Sequence, residues 1–128
     1  LPTAGQLDEL GPRGLEATDF VVAGYGTQEA RRGPGGHTHP GGGVRMKAPE
    51  SFNAINKTWL RLAMTEPQGN GGACYGDSGG PNFAVLDGEL VLVATTITGD
   101  APCYATNVVY RTDTPTARSF LAPFVDLP

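Results

Sequence analysis

No apolar run in these 128 residues approaches the length of a membrane span, which argues against a role inside a bilayer. A basic stripe is missing too. Nine Lys and Arg against 13 Asp and Glu leave a net charge of −4, so nucleic acid is not expected as the main partner. The N-terminus has neither an initiator Met nor a charged-then-apolar leader, and the chain is expected to be a processed product or an excised segment. Histidine is scarce. His37 and His39 are the only two, and they sit in the glycine-flanked stretch Gly33–Gly43. Two histidines two apart, with no Cys or carboxylate at ligand spacing, make a poor zinc site. A glycine-rich loop is also a poor mount for a general base, which must be held by a third group. Both are therefore expected to be exposed loop residues. Cysteine is limited to Cys74 and Cys103. They either pair, closing a loop of about 30 residues worth roughly 3–4 kcal/mol, or remain buried thiols in a reducing compartment.

Glycine and proline are plentiful, at 19 and 11, as suits many short strands joined by tight turns. Residues 1–18 read as a linker with one turn of helix around Leu7–Leu10. Phe20–Gly26 is a β-branched strand ending in glycines. Val44–Lys47 begins a second strand that is expected to stop near Pro49. Trp59–Met64 is a third, with Leu60, Leu62 and Met64 on one face. Asn82–Leu86 and Glu89–Thr96 flank Asp87-Gly88, a two-residue hairpin signal. Asn107–Arg111 is the sixth. Asp113 or Thr114 can cap a closing helix that has Pro115 at its first position and an apolar stripe of Phe120, Leu121, Phe124 and Val125. The expected fold is all-β: a six-stranded antiparallel Greek-key barrel over residues 19–113, with a C-terminal helix and tail over 114–128.

The chemistry concentrates in Gly71-Gly72-Ala73-Cys74-Tyr75-Gly76-Asp77-Ser78-Gly79-Gly80-Pro81. A serine hydroxyl is a weak nucleophile and needs a base and a set of oxyanion donors nearby. Glycines on both sides let backbone N–H groups approach a substrate closely, so the amides of Gly76 and Ser78 can point at one oxygen.

Gly76-Asp77-Ser78-Gly79-Gly80-Pro81 resembles the nucleophile motif of the chymotrypsin/trypsin-like serine proteases. The order of the strands and the final helix resemble that family's second barrel. The resemblance implies that Ser78 is the nucleophile and that Gly76 with Ser78 forms the oxyanion hole. It makes Asp77 the carboxylate that pairs with a freed N-terminal ammonium on activation. It implies a Cys74–Cys103 bridge tying the walls of the specificity pocket, and hence a secreted, extracellular protein. It assigns substrate binding to Gly72, Tyr75, Ile97, Thr98 and Gly99, with no cofactor and no metal. Gly72 stands six residues before the nucleophile, at the pocket floor, where trypsin-like enzymes carry a carboxylate. Selection of basic residues therefore loses its usual warrant, and Asp100 on the far wall is a weak substitute. Ile97-Thr98-Gly99 stands where the family has Ser-Trp-Gly. An apolar or unselective preference follows, with Gly99 still able to pair with an extended peptide.

The family's catalytic His and Asp belong to the first barrel, and no Ala-Ala-His-Cys type stretch occurs here. The expected function is the C-terminal half of a secreted serine endopeptidase, inactive alone, whose base comes from an N-terminal barrel of the same precursor or from a second chain. Its other partner would be a peptide or protein substrate. The alternative is a non-catalytic homologue that uses the barrel as a protein-binding module.

Overall fold

A computed structural model describes all residues, Leu1–Pro128. Six strands form a closed antiparallel barrel: β1 (Phe20–Gly24), β4 (Met46–Ile55), β5 (Trp59–Ala63), β6 (Pro81–Leu86), β7 (Glu89–Gly99) and β8 (Thr106–Arg111). Their order around the barrel is β1-β4-β5-β8-β7-β6, with β6 closing onto β1. Each strand expected from alternation is present. Asp87 and Gly88 turn β6 into β7 with φ of 50° and 81°, the left-handed pair that a type I′ hairpin needs. Two further short strands, β2 (Arg31–Gly33) and β3 (Gly36–Thr38), form a separate exposed hairpin inside the glycine-rich loop.

Proline 49 does not stop β4. The strand pairs with β1 over Met46–Glu50 and with β5 over Ser51–Ile55. The Pro49 carbonyl accepts from Gly71 N at 3.0 Å, on the side away from β1. Its nitrogen faces the same way, toward a loop rather than a strand, so the missing N–H breaks no ladder bond.

Residues 1–18 depart most from the sequence expectation. They hold an 11-residue helix, α1 (Gln6–Glu16), instead of a single turn. Gly11 (φ 63°) bends it just ahead of Pro12, whose ring cannot continue the preceding turn. Leu7 and Leu15 are wholly buried and join Phe20, Leu60, Leu62, Ala84, Val93, Ala94 and Val109 in one apolar cluster. The barrel supplies the helix with its polar anchors. Asp113 Oδ2 accepts from Leu7 N at 2.9 Å, and the Asp113 carbonyl accepts from Gly5 N at 3.0 Å. Arg111, buried with Asp113, reaches Asp8 of the helix at 2.9 Å.

Helix α2 (Pro115–Leu121) starts as its residues suggest, with the Thr114 hydroxyl accepting from Ala117 N. Its apolar stripe, however, is not buried. Phe120 and Phe124 are 71% and 73% exposed and lean on each other, and only Ala117 of the helix is buried. No helix is long and apolar enough to cross a membrane.

Inward residues of β8 divide the barrel along its axis. Asn107, Val109 and Arg111 are all buried. Arg111 closes the end under α1, Val109 belongs to the apolar middle, and Asn107 stands at the end where the 71–81 loop lies.

Candidate functional site

Asp77 organises the loop from within. Its carboxylate is buried, with Oδ1 accepting from Gly26 N at 2.8 Å and Oδ2 from Cys74 N at 2.9 Å. A Cβ on Gly24 would lie 1.9 Å from Oδ1, and one on Gly26 would lie 2.5 Å from Oδ2. The glycines that end β1 therefore make room for this carboxylate. Turning Asp77 inward turns its neighbours outward. Ser78 and Gly76 are exposed, Gly76 and Gly79 have φ of 96° and 80°, and Gly79 N is tied to Thr96 O at 2.7 Å. The amides of Gly76 and Ser78 donate to no group of the chain.

Ser78 opens onto a cleft of about 330 Å³. Tyr75, Gly76, Ile97, Thr98 and Gly99 line it together with Ser78, and so does the disulfide between Cys74 and Cys103 (Cα–Cα 5.5 Å). The structure thus brings together all but two of the residues that the sequence singled out. Ile97 is the extra residue where the β7–β8 register shifts between Thr96 and Thr98, and it projects into solvent. Gly99 has to be glycine, since a Cβ there would meet Thr106 O at 2.4 Å. Neither a protein-family model nor a curated protein matches this chain.

The two exceptions are Gly72 and Asp77. Gly72 is not among the groups lining the cleft; it faces two other hollows, and a Cβ on it would meet Met64 Cβ at 2.3 Å. It is a packing glycine. Asp77 lies behind the loop with each carboxylate oxygen already accepting a backbone amide, a structural post for this carboxylate. Asp100 does line the cleft, but its carboxylate is engaged as well. It accepts from Tyr104 N at 2.8 Å, Ala105 N at 3.0 Å and Thr106 N at 2.7 Å. Partial burial opposes its ionisation, and these backbone donors outweigh it, holding the carboxyl below its usual range.

The histidines sit against Tyr104 and Tyr75, the tyrosines next to the two bridged cysteines. His37 is exposed against Tyr104, as a loop residue should be. His39 is half-buried, edge-on to Tyr75, with Nε2 3.3 Å from Pro102 O. It also lies close to both sulfurs of the bridge, but sulfur held in a disulfide lacks the thiolate charge that binds metals.

Sequence reading missed a buried polar chain behind the cleft. Asn107 Nδ2 donates to Glu50 Oε1 and to Asn82 Oδ1, both at 2.9 Å, and Asn82 reaches Thr96 Oγ1 at 2.9 Å. Glu50, Asn82, Thr96 and Asn107 are all buried, and Thr96 and Asn107 line the cleft. Burial pushes the Glu50 carboxyl up to about 8, against the Asn107 hydrogen bond and with help from the Asp77 charge. A signal was present: Asn82 and Asn107 hold the same strand parity as the buried Ala84 and Val109.

Proposed function

We propose that this chain is the second, nucleophile-bearing barrel of a chymotrypsin-like serine endopeptidase. One observation carries the reading. Two backbone amides without partners flank an exposed serine hydroxyl at the mouth of a cleft. Exposed donors that the fold leaves free are available to an oxyanion that develops during reaction. The strand order β1-β4-β5-β8-β7-β6 supports a Greek-key barrel, and the disulfide supports an oxidising, extracellular setting.

In the complete enzyme Ser78 Oγ attacks a peptide carbonyl carbon while a histidine from another barrel takes its proton. The carbonyl oxygen becomes an oxyanion held by the amides of Gly76 and Ser78. Collapse breaks the C–N bond, and the amine leaves with the proton returned by the histidine. Water then clears the acyl group from Ser78 by the reverse proton route. Gly99 pairs with the extended substrate, and Tyr75, Ile97 and Thr98 frame the entrance.

The binding-module reading draws on the positions of His37 and His39 beside Tyr104 and Tyr75, which leave Ser78 without a base of its own. A fluorophosphonate reagent separates the two. Protein expressed from its full-length gene should be labelled, and Ser78→Ala should abolish the label. Folded protein that stays unlabelled would favour the binding module.

A further inference from the structure

The buried chain behind the cleft ends in an unmet hydrogen-bonding need. Asn107 is 1% exposed, yet its Oδ1 has no partner. Both protons of its Nδ2 are used, by Glu50 and by Asn82. The amide of Asn82 also fits in a second orientation. Its oxygen then accepts from Thr96 Oγ1 at 2.9 Å and Thr96 N at 3.1 Å, while its nitrogen faces Glu50 Oε2 at 3.2 Å and the present Nδ2 position of Asn107 at 2.9 Å. Two N–H₂ groups cannot face each other, so Asn107 must turn with it. That brings Asn107 Oδ1 to Glu50 Oε1, a contact that needs a proton between the two oxygens. Glu50 holds that proton below a pH of about 8. In the first arrangement Asn107 leaves an acceptor unmatched; in the second it leaves a donor unmatched.

We propose that Asn107 is the specificity-determining residue of the cleft beside Ser78 and selects a substrate side chain ending in a carboxamide, glutamine foremost. A carboxamide carries one donor and one acceptor side by side, so it complements Asn107 in either orientation. An apolar side chain satisfies neither. A carboxylate meets the ionised Asp100 in the same cleft. Asp100 offers a cation an attractive charge, but its oxygens already accept three backbone amides, and Asp77 lies behind the loop with both oxygens bonded. Asp77 is also the charged group that acts on Glu50.

This inference rests on the proteolytic reading of the cleft, but binding needs no catalytic base and can be read on this chain alone. The ligands are N-acetyl tripeptide amides that differ only in one residue: Gln, Glu, Lys or norleucine. Titrations followed by NMR should give the Gln peptide about tenfold tighter binding than the near-isosteric norleucine peptide. The side-chain N–H₂ resonances of Asn107 should move with Gln and not with norleucine. Asn107→Leu should erase or reverse the preference. The unmutated protein decides the matter if that variant fails to fold: equal affinities with unmoved Asn107 resonances overturn the proposal, as does a preference for Lys. A fluorophosphonate-labelled enzyme without Gln preference defeats only this inference. An unlabelled protein that binds Gln selectively defeats only the proteolytic reading and leaves the site intact.

Discussion

A single buried carboxylate sets the posture of the reactive loop. Asp77 is held by the amides of Gly26 and Cys74, and the space it fills exists because Gly24 and Gly26 have no side chains. Gly24→Ala should therefore act on the loop without touching it in sequence. A methyl group 1.9 Å from Asp77 Oδ1 has to displace the carboxylate. The expected cost is roughly 2–4 kcal/mol, from overpacking plus two amides left unpaired. Denaturant unfolding would measure it, and fluorophosphonate labelling of full-length protein should fall with it. Asp77→Asn should be milder, about 1–3 kcal/mol, because one amide keeps its acceptor while the other faces an N–H₂ group. The nucleophile loop was legible as a string, since its residue types and spacing are contiguous. The role of the β1 glycines was not. It depends on a contact across 51 residues, and nothing local distinguishes a strand-ending glycine from one that makes room. Glu50 was hidden for the same reason: a carboxyl following Pro49 reads as a solvated strand edge until Asn107, 57 residues away, is brought against it.

The barrel strands and the start of α2 were read well and α1 poorly, and their physical determinants differ. Leu60 and Leu62 alternate with the exposed Arg61 in β5, and Asp87-Gly88 names its own turn. Such signals are complete within a few residues. Helix α1 hides its pattern, because Gly11-Pro12 breaks the period halfway and the cap on Leu7 N comes from Asp113. The stripe of α2 misled in the opposite direction: its phenylalanines have helical spacing, but the helix ends at Leu121 and leaves them in solvent. Besides the burial of Leu7 and Leu15, an ion cluster holds α1 to the barrel. Arg111 gives two hydrogen bonds to Asp113, at 2.9 and 2.8 Å, one to Asn56 O at 2.6 Å, and an ion pair to Asp8. Burial disfavours the Arg111 charge, but Asp113 and Asp8 more than offset it and raise its pKa. Asp113→Asn keeps the shape and removes the buried counter-charge, leaving Asp8, which is largely exposed, to neutralise Arg111. The expected loss is about 3–5 kcal/mol. Amide exchange at Leu7 and along α1 should quicken more than exchange at Leu60 or Leu62, because the helix loses its anchor while the barrel ladder stays whole.

At the scale of the whole molecule, the barrel carries a polar group at each end and an apolar middle. The two ends respond differently to pH. Under α1 the buried charges of Arg111 and Asp113 are matched. At the cleft end Glu50 is buried with the Asn107 amide as its hydrogen-bond partner and no cation in ion-pair reach. Folded, it keeps its proton until pH approaches about 8; the ordinary value is 4.5. Over that interval the folded chain binds a proton that the unfolded chain has already lost. The contribution of Glu50 to stability is thus complete below pH 4.5, declines as pH rises, and is gone once pH has passed the folded value. Glutamine is the neutral, near-isosteric counterpart of the protonated carboxyl: with the amides of Asn82 and Asn107 both turned, its N–H₂ stands where the proton points toward Asn107, and its oxygen accepts from Asn82. Glu50→Gln should therefore match the parent near pH 4 and exceed it progressively through pH 5–8, by a few kcal/mol at the alkaline end. Urea unfolding at a series of pH values would read this directly. Parallel profiles for the two proteins would show that Glu50 ionises in the folded barrel as it does in the unfolded chain. The cleft would then be backed by a fixed negative charge, and the choice between cationic and carboxamide side chains would turn toward the cation.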